Sequence, residues 1–451
     1  MTKSIESALI FTCLLILFNT NLFAQSNAQT WLKQTNIYEI NTRQFSSEGN
    51  FSGVIKQLPR LKEMGVEIIC LLPVTPIGLD GRKMNENELG SCYAVKHYNE
   101  INPEFGNLDD FKKLITESQA LGLKVVIDWV ANQTARDHDW VAYHPNFYEH
   151  QSNGDFVSPN DMTDVFKLNF EEAEMRDSMI QCMITWVRQF NIDGFRCVFA
   201  DPVPADFWAK AIGELKLVKK NLLFLADGEK TWFHEVGFDA TYASDAMHKM
   251  VNLASGKMTI DEWEEWLFDH EKEFPKDALR IIFTSNHDAN TQAGIEFDRF
   301  GKAALNLAVF GQTFPGGVPM LFNGQEIPLK RRLAMYVKDS ITWMGFENSN
   351  FYKKLHHIRR TSPALASDAS YKRVKLNQPE LPVWAYLREK DGHRILVLLN
   401  FSEREQKIQL RDETAMGKAT EIFSQSKILL KSNNELTIPE WGYQFYQFSK
   451  N

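Results

Sequence analysis

The sequence predicts an α/β fold: a (β/α)8 barrel with a short inserted domain after its third strand, followed by a C-terminal antiparallel β domain. Three observations lead there. From Asn36 onward, short apolar runs alternate with amphipathic stretches of helical period, the pattern of βα units around a parallel sheet. Between residues 133 and 169 that rhythm stops, and beyond Pro363 the apolar period changes to two. At 451 residues, with 44% apolar and 12% aromatic content, the chain is long enough to bury one large core and a smaller one.

The elements follow in order. Residues 1–24 carry Lys3, an apolar run at 8–18 and the sequence Leu22-Phe23-Ala24 before Gln25. At about 1.5 Å per residue that run falls well short of a bilayer core of roughly 30 Å. A secretory leader cleaved after Ala24 is therefore expected, with release to the periplasm or outside the cell and no membrane span. Barrel strands are expected at 37–45, 66–74, 124–132, 194–200, 222–229, 238–244, 279–288 and 318–326. Between them, 108–122 and 171–190 space apolar residues by three and four, and Gly65 and Leu121-Gly122 are the expected helix stops. The 133–169 insertion is rich in His, Asp, Asn and aromatic residues, and at the end of a barrel strand such a segment builds a wall of the active-site cleft. These signals assign 25–362 to the barrel domain. Alternating runs at 383–388, 394–401, 408–410 and 443–448, with turns at Asp391-Gly392 and Asn433-Asn434, assign 363–451 to the β domain.

Fifty Lys and Arg against 58 Asp and Glu give a net charge of −8 without long like-charge runs, so nucleic acid is not an expected partner. Cys13 falls within the leader, and Cys70, Cys92, Cys182 and Cys197 remain. Most of these sit in apolar strand-like or helical runs and none forms a Cys-x-x-Cys pair, so buried free thiols are expected rather than a disulfide framework or a metal site.

The stretch 191–201, N-I-D-G-F-R-C-V-F-A-D, is the chemical centre of the reading. Strand alternation puts Arg196, Val198 and Ala200 on one face. A buried arginine needs an anionic partner, and the position two residues along that face is where a carboxylate is expected; the residue there is Val198. This stretch resembles the Gly-Phe-Arg-x-Asp signature of the α-amylase family, glycoside hydrolase family 13, in which the Asp is the catalytic nucleophile. The resemblance extends along most of the chain: Y-A-V-K-H-Y and I-N-P-E-F-G within 90–106, D-W-V-A-N-Q at 128–133, Thr163-Asp164-Val165, Ser285-Asn286-His287-Asp288, and L-F-N-G-Q-E at 321–326.

What the resemblance implies is retaining cleavage of α-glucosidic bonds, with a nucleophile and an acid about 5–5.5 Å apart. Asp288 matches the family's third carboxylate, which bonds sugar hydroxyls, with His287 beside it; Tyr93 matches the aromatic floor under a sugar ring. Asp227, in Leu225-Ala226-Asp227, falls where the family has its general acid Glu and is one methylene shorter. Glu229, two residues on, has the same strand parity and is a candidate substitute. Gln133 stands where the family has a sugar-bonding His, and Pro202 where many members have a His near a structural calcium, the one ion the resemblance raises; no other cofactor is expected. Three functions follow. The first is an α-glucan or maltooligosaccharide binder whose hydrolysis is lost or very weak. The second is an active hydrolase or transglycosylase, amylase-like or cyclomaltodextrinase-like, with a rebuilt site. The third is a non-enzymatic partner-binding scaffold.

Overall fold

The computed structural model describes residues 30–82, 88–159 and 162–449; the leader expected at 1–24 lies outside the described residues. Eight parallel strands close into a barrel. They are β1 (Ile37–Ile40), β2 (Ile68–Leu71), β3 (Lys124–Val130) and, beyond an antiparallel pair in the insertion, β4 (Gln133–Ala135) and β5 (Val165–Lys167), the strands β6 (Gly194–Val198), β7 (Leu223–Ala226), β8 (Ala240–Tyr242), β9 (Arg280–Phe283) and β10 (Gly317–Phe322). They neighbour one another in the order β1-β2-β3-β6-β7-β8-β9-β10, with β10 returning to β1. All eight expected strands form. Most end before their predicted C-terminal limits, because the chain bends into loops there: 42–45 is a helical turn (Thr42–Phe45) started by the Asn41 side chain, which accepts from the Arg43 N–H.

The helices outside the barrel start and stop where local chemistry allows. Helix α1 (Phe51–Met64) ends at Gly65, whose φ of 90° is the left-handed cap that glycine adopts without a Cβ clash. Helix α2 (Leu108–Ala120) begins with a capping box in which Asn107 and Asp110 satisfy each other's N–H groups. Its Phe111 packs edge-on against Trp186 and Phe190 of α3 (Ala173–Phe190). Each such pair contributes about 0.5–1.5 kcal/mol beyond the area it buries. Further helices are α4 (Ala205–Val218), α5 (Ser244–Ala254), α6 (Ile260–Glu271), α7 (His287–Ala293), α8 (Ala304–Thr313) and α9 (Ser349–Thr361). Among the described residues no helix is long and apolar enough to cross a membrane, and Cys70, Cys92, Cys182 and Cys197 are free thiols.

The C-terminal region forms an antiparallel sheet of β11 (Ser370–Arg373), β12 (Val383–Lys390), β13 (His393–Asn400), β15 (Gly417–Glu421), β16 (Lys427–Leu430) and β18 (Tyr443–Phe448), with β14 (Gln406–Ile408) paired to β17 (Leu436–Ile438). Asp391 and Gly392 join β12 to β13 with φ of 52° and 73°, the two left-handed residues that a tight hairpin requires. Two buried arginines lie where this region meets the base of the barrel, and Arg388 fastens the sheet itself there. Arg359 of α9 donates to the carbonyls of Lys33, Thr35, Gln312, Gly317 and Leu365, and Arg388 of β12 to those of Thr313, Ala366, Ala369 and Ser370.

Candidate active site

At the C-terminal ends of the strands a charged network crosses the barrel interior. The β3–β6 register sets Asp128 beside Arg196. Arg196 Nε and Nη2 donate to Asp128 Oδ1 and Oδ2 at 2.6 and 2.5 Å, a bidentate pair, and Nη1 donates to Glu39 Oε1 and to the Tyr242 hydroxyl oxygen, the latter at 2.5 Å. The acidic partner expected two residues along the arginine's own strand face thus comes instead from the adjacent strand and from β1. Geometry explains the correction: same-face residues in one strand lie roughly 6.6 Å apart, whereas neighbouring strands lie about 4.8 Å apart, so the lateral position reaches the guanidinium first. Glu39 and Tyr242 carried no expectation; the one signal for Glu39 is an acid inside the otherwise apolar run Ile37-Tyr38-Glu39-Ile40.

His287 is the second hub. Its Nδ1 lies 2.8 Å from Glu39 Oε1, its backbone N–H donates to Glu39 Oε2 at 3.0 Å, and its Nε2 lies 2.5 Å from the Tyr93 hydroxyl oxygen and 3.4 Å from Asp288 Oδ2. Burial alone would lower this imidazole, but the Glu39 and Asp288 carboxylates raise it to about 9. Burial would likewise raise the Glu39 carboxyl, yet His287 and Arg196 hold it at about 2. The asparagine that caps α7, Asn286, accepts from the Ala289 N–H and so fixes the turn that delivers His287 and Asp288. Asp288 is 47% exposed and faces a cleft of about 610 Å³ whose lining includes Arg82, Tyr93, Gln133 and Tyr336.

The remaining site candidates are placed as follows. Val198 closes β6 with a side chain 1% exposed in the apolar core. Asp227 follows β7, its N–H donating to the Cys197 carbonyl at 3.0 Å; burial pushes its carboxyl up to about 6, with Arg196 and His287 opposing the rise. Gln133 lines the cleft, but its amide donates to the Tyr93 carbonyl at 3.4 Å and its Oε1 accepts from Asn132. Glu229 departs from the expectation of a cleft-facing substitute. It accepts from the Asp245 N–H and sits 3.3 Å from Arg280 Nη2 and 3.5 Å from His270 Nε2. The strand ends at Ala226, so the two-residue parity that linked Glu229 to Asp227 does not extend past the bend at Asp227-Gly228. As for calcium beside the end of β3, Asn132 Oδ1 is buried without a partner, but Pro202 brings no side-chain ligand and Glu149 is engaged by Lys167 at 2.8 Å, so the side chains here fit an oxygen-hungry ion poorly.

Residues 18–164 match the family description "Alpha amylase, catalytic domain", and residues 383–442 match "Alpha-amylase SusG C-terminal domain". The chain is 24% identical over 431 residues to a maltogenic α-amylase of Bacillus acidopullulyticus, which aligns with 89% of this chain and 71% of its own length. It is 26% identical over 399 residues to α-amylase MalA of Haloarcula japonica, covering 83% of this chain and 56% of that protein, so the chain spans about half to three quarters of these relatives. Among solved structures, a maltogenic α-amylase, AmyB, of Thermotoga neapolitana superposes with a TM-score of 0.83 at 28% identity, covering 93% of this chain and 99% of that one.

Proposed function

We infer that this chain belongs to the α-amylase family, and that it recognises α-1,4-linked glucans and maltooligosaccharides at the barrel mouth while hydrolysing them very slowly or not at all. One contrast within the mouth carries the reading. Tyr93, His287, Glu39, Arg196 and Asp128 form a continuous hydrogen-bonded network with Asp288 at its open edge, whereas Val198, on the same strand as Arg196, ends in two methyl groups. Aromatic stacking and hydrogen bonds to sugar hydroxyls need only the first set. Retaining hydrolysis needs a carboxylate to form the glycosyl ester, and valine has no lone pair to donate. The relatives' names, maltogenic α-amylase and α-amylase, support the α-glucan class.

A second reading, an active hydrolase or transglycosylase with a rebuilt site, is favoured by Asp227. A carboxyl lifted to about 6 keeps a proton close to neutrality, as a general acid must. Against it, the Asp side chain stops one methylene short and no replacement nucleophile stands at Val198. Calorimetric titration with maltotriose, run beside a long-incubation hydrolysis assay, separates these readings. The expected result is binding that weakens at least about tenfold in Asp288→Ala, with no released glucose or maltose. Turnover at an ordinary amylase rate establishes the second reading, and absence of binding favours the scaffold. We also propose export with removal of residues 1–24, on the strength of the apolar run and the Ala24-Gln25 junction. An N-terminus at Gln25 in protein recovered outside the cytoplasm is the check.

A further inference from the structure

We propose that Phe199 sets the length of glucan this protein accepts, by forming with Gln133 and Met162 a ridge that divides the barrel mouth into two separate hollows. The proposal rests on the α-glucan reading and deepens it. Gln133, Met162 and Phe199 line both the 610 Å³ cleft under Asp288 and a second hollow of about 520 Å³ bordered by Asn132, Glu149, Lys167, Asn169 and Phe170. Residues shared by two adjoining cavities form the wall between them. Each hollow falls in the size range of small-ligand sites, roughly 300–1,000 Å³, and so has room for a short oligosaccharide.

The ridge is built rather than incidental. Phe199 directly follows Val198 and has φ of 49°, a left-handed conformation that costs a bulky residue roughly 1–2 kcal/mol. Local preference therefore does not put the ring there; tertiary packing does. The ring stands edge-on to Tyr93, with centroids 5.5 Å apart and planes at 74°, and remains partly exposed toward the cleft. Since Tyr93 is the floor on which a sugar would stack, Phe199 rises from the edge of that floor. A glucan running from one hollow into the other has to pass over the ring, so the wild-type mouth takes di- and trisaccharides or a chain end and does not reward further sugars.

Maltose, maltotriose and maltohexaose, titrated calorimetrically into the wild type, Phe199→Gly and Phe199→Leu, test this. Glycine suits the positive φ, so folding is retained, and leucine keeps bulk while removing the ring. The expected wild-type affinity does not rise from maltotriose to maltohexaose. In Phe199→Gly maltohexaose gains roughly tenfold as a second sugar-binding surface becomes continuous with the first, while maltose stays within about twofold; Phe199→Leu lies between. Wild type that binds maltohexaose far more tightly than maltotriose overturns the ridge. So do a Phe199→Gly variant with unchanged length dependence and one that loses maltose and maltohexaose alike; in all three cases the α-glucan reading stands. Failure of every protein to bind any of the three sugars overturns the α-glucan reading and the ridge together.

Discussion

Arg196 at the mouth of the barrel and Arg359 at its base are both fully buried, yet their surroundings differ in kind. Arg196 is held by two carboxylates and a phenol, Arg359 by five main-chain carbonyls and the Ser367 hydroxyl. Burial and the nearby Arg388 pull Arg359 down to about 9, because carbonyl dipoles only partly replace water. Against the same burial, Asp128 and Glu39 raise Arg196. The base is a joint whose partners cannot titrate. The mouth is a set of mutually dependent charges, and such charges are kept where a polar ligand must be met by groups already in position.

Breaking each arginine is the largest test of that contrast. Arg196→Met and Arg359→Met are each expected to cost about 4 kcal/mol in urea unfolding at pH 7, the first by stripping buried Asp128 of its bidentate partner and leaving Glu39 to His287 alone, and the second by orphaning several carbonyls. At pH 5 the Arg196→Met loss shrinks by about 1 kcal/mol or more, since burial makes Asp128 take up a proton once the guanidinium is gone while Glu39 keeps His287, and the Arg359→Met loss holds. An equal pH response in the two variants breaks the distinction.

Val198→Asp sharpens it. Arg196 already serves two acids, so a third carboxylate at the end of β6 enters the core without a partner, and a loss of about 3 kcal/mol at pH 7 is expected. The single variant restores no hydrolysis. Val198→Asp with Asp227→Glu is expected to restore slow retaining turnover, read from the anomer first released in NMR, because nucleophile and acid act as a unit.

The next effect is a pH dependence. His287 is raised in the folded state from 6.5 to about 9, so its contribution is fully present below pH 6.5 and is lost as pH climbs through 9. Wild type should therefore lose about 2 kcal/mol more than His287→Gln between pH 6.5 and 9.5 in urea titrations. Glu39 works in the opposite direction: its contribution is present above 4.5 and fades as pH falls toward 2. Glu229→Gln gives the smallest change, about 1 kcal/mol of stability with maltotriose affinity unaltered, since Glu229 braces Arg280 away from the cleft. A loss of sugar binding there would return Glu229 to the site.

The sequence by itself determined the eight strands, the interruption after the third and the change of period beyond Pro363, because periodicity and turn chemistry are local and survive in one dimension; Arg196, His287 and Asp288 became candidates through the motifs they share with the α-amylase family. The sequence also determined that residue 198 carries no carboxylate. Only the tertiary structure decided which acids meet Arg196, since closing the barrel brings Asp128 beside it and Glu39 across to it, and neither lateral register nor barrel closure is written in any one strand. The same limit explains Glu229, whose direction was set by a bend just past Ala226, and Phe199, whose left-handed backbone opposes its own local preference. Wherever a side chain's position depends on a strand's neighbours or on the loop beyond its end, alternation along the strand loses its authority, and these are the positions that shape the mouth of this barrel.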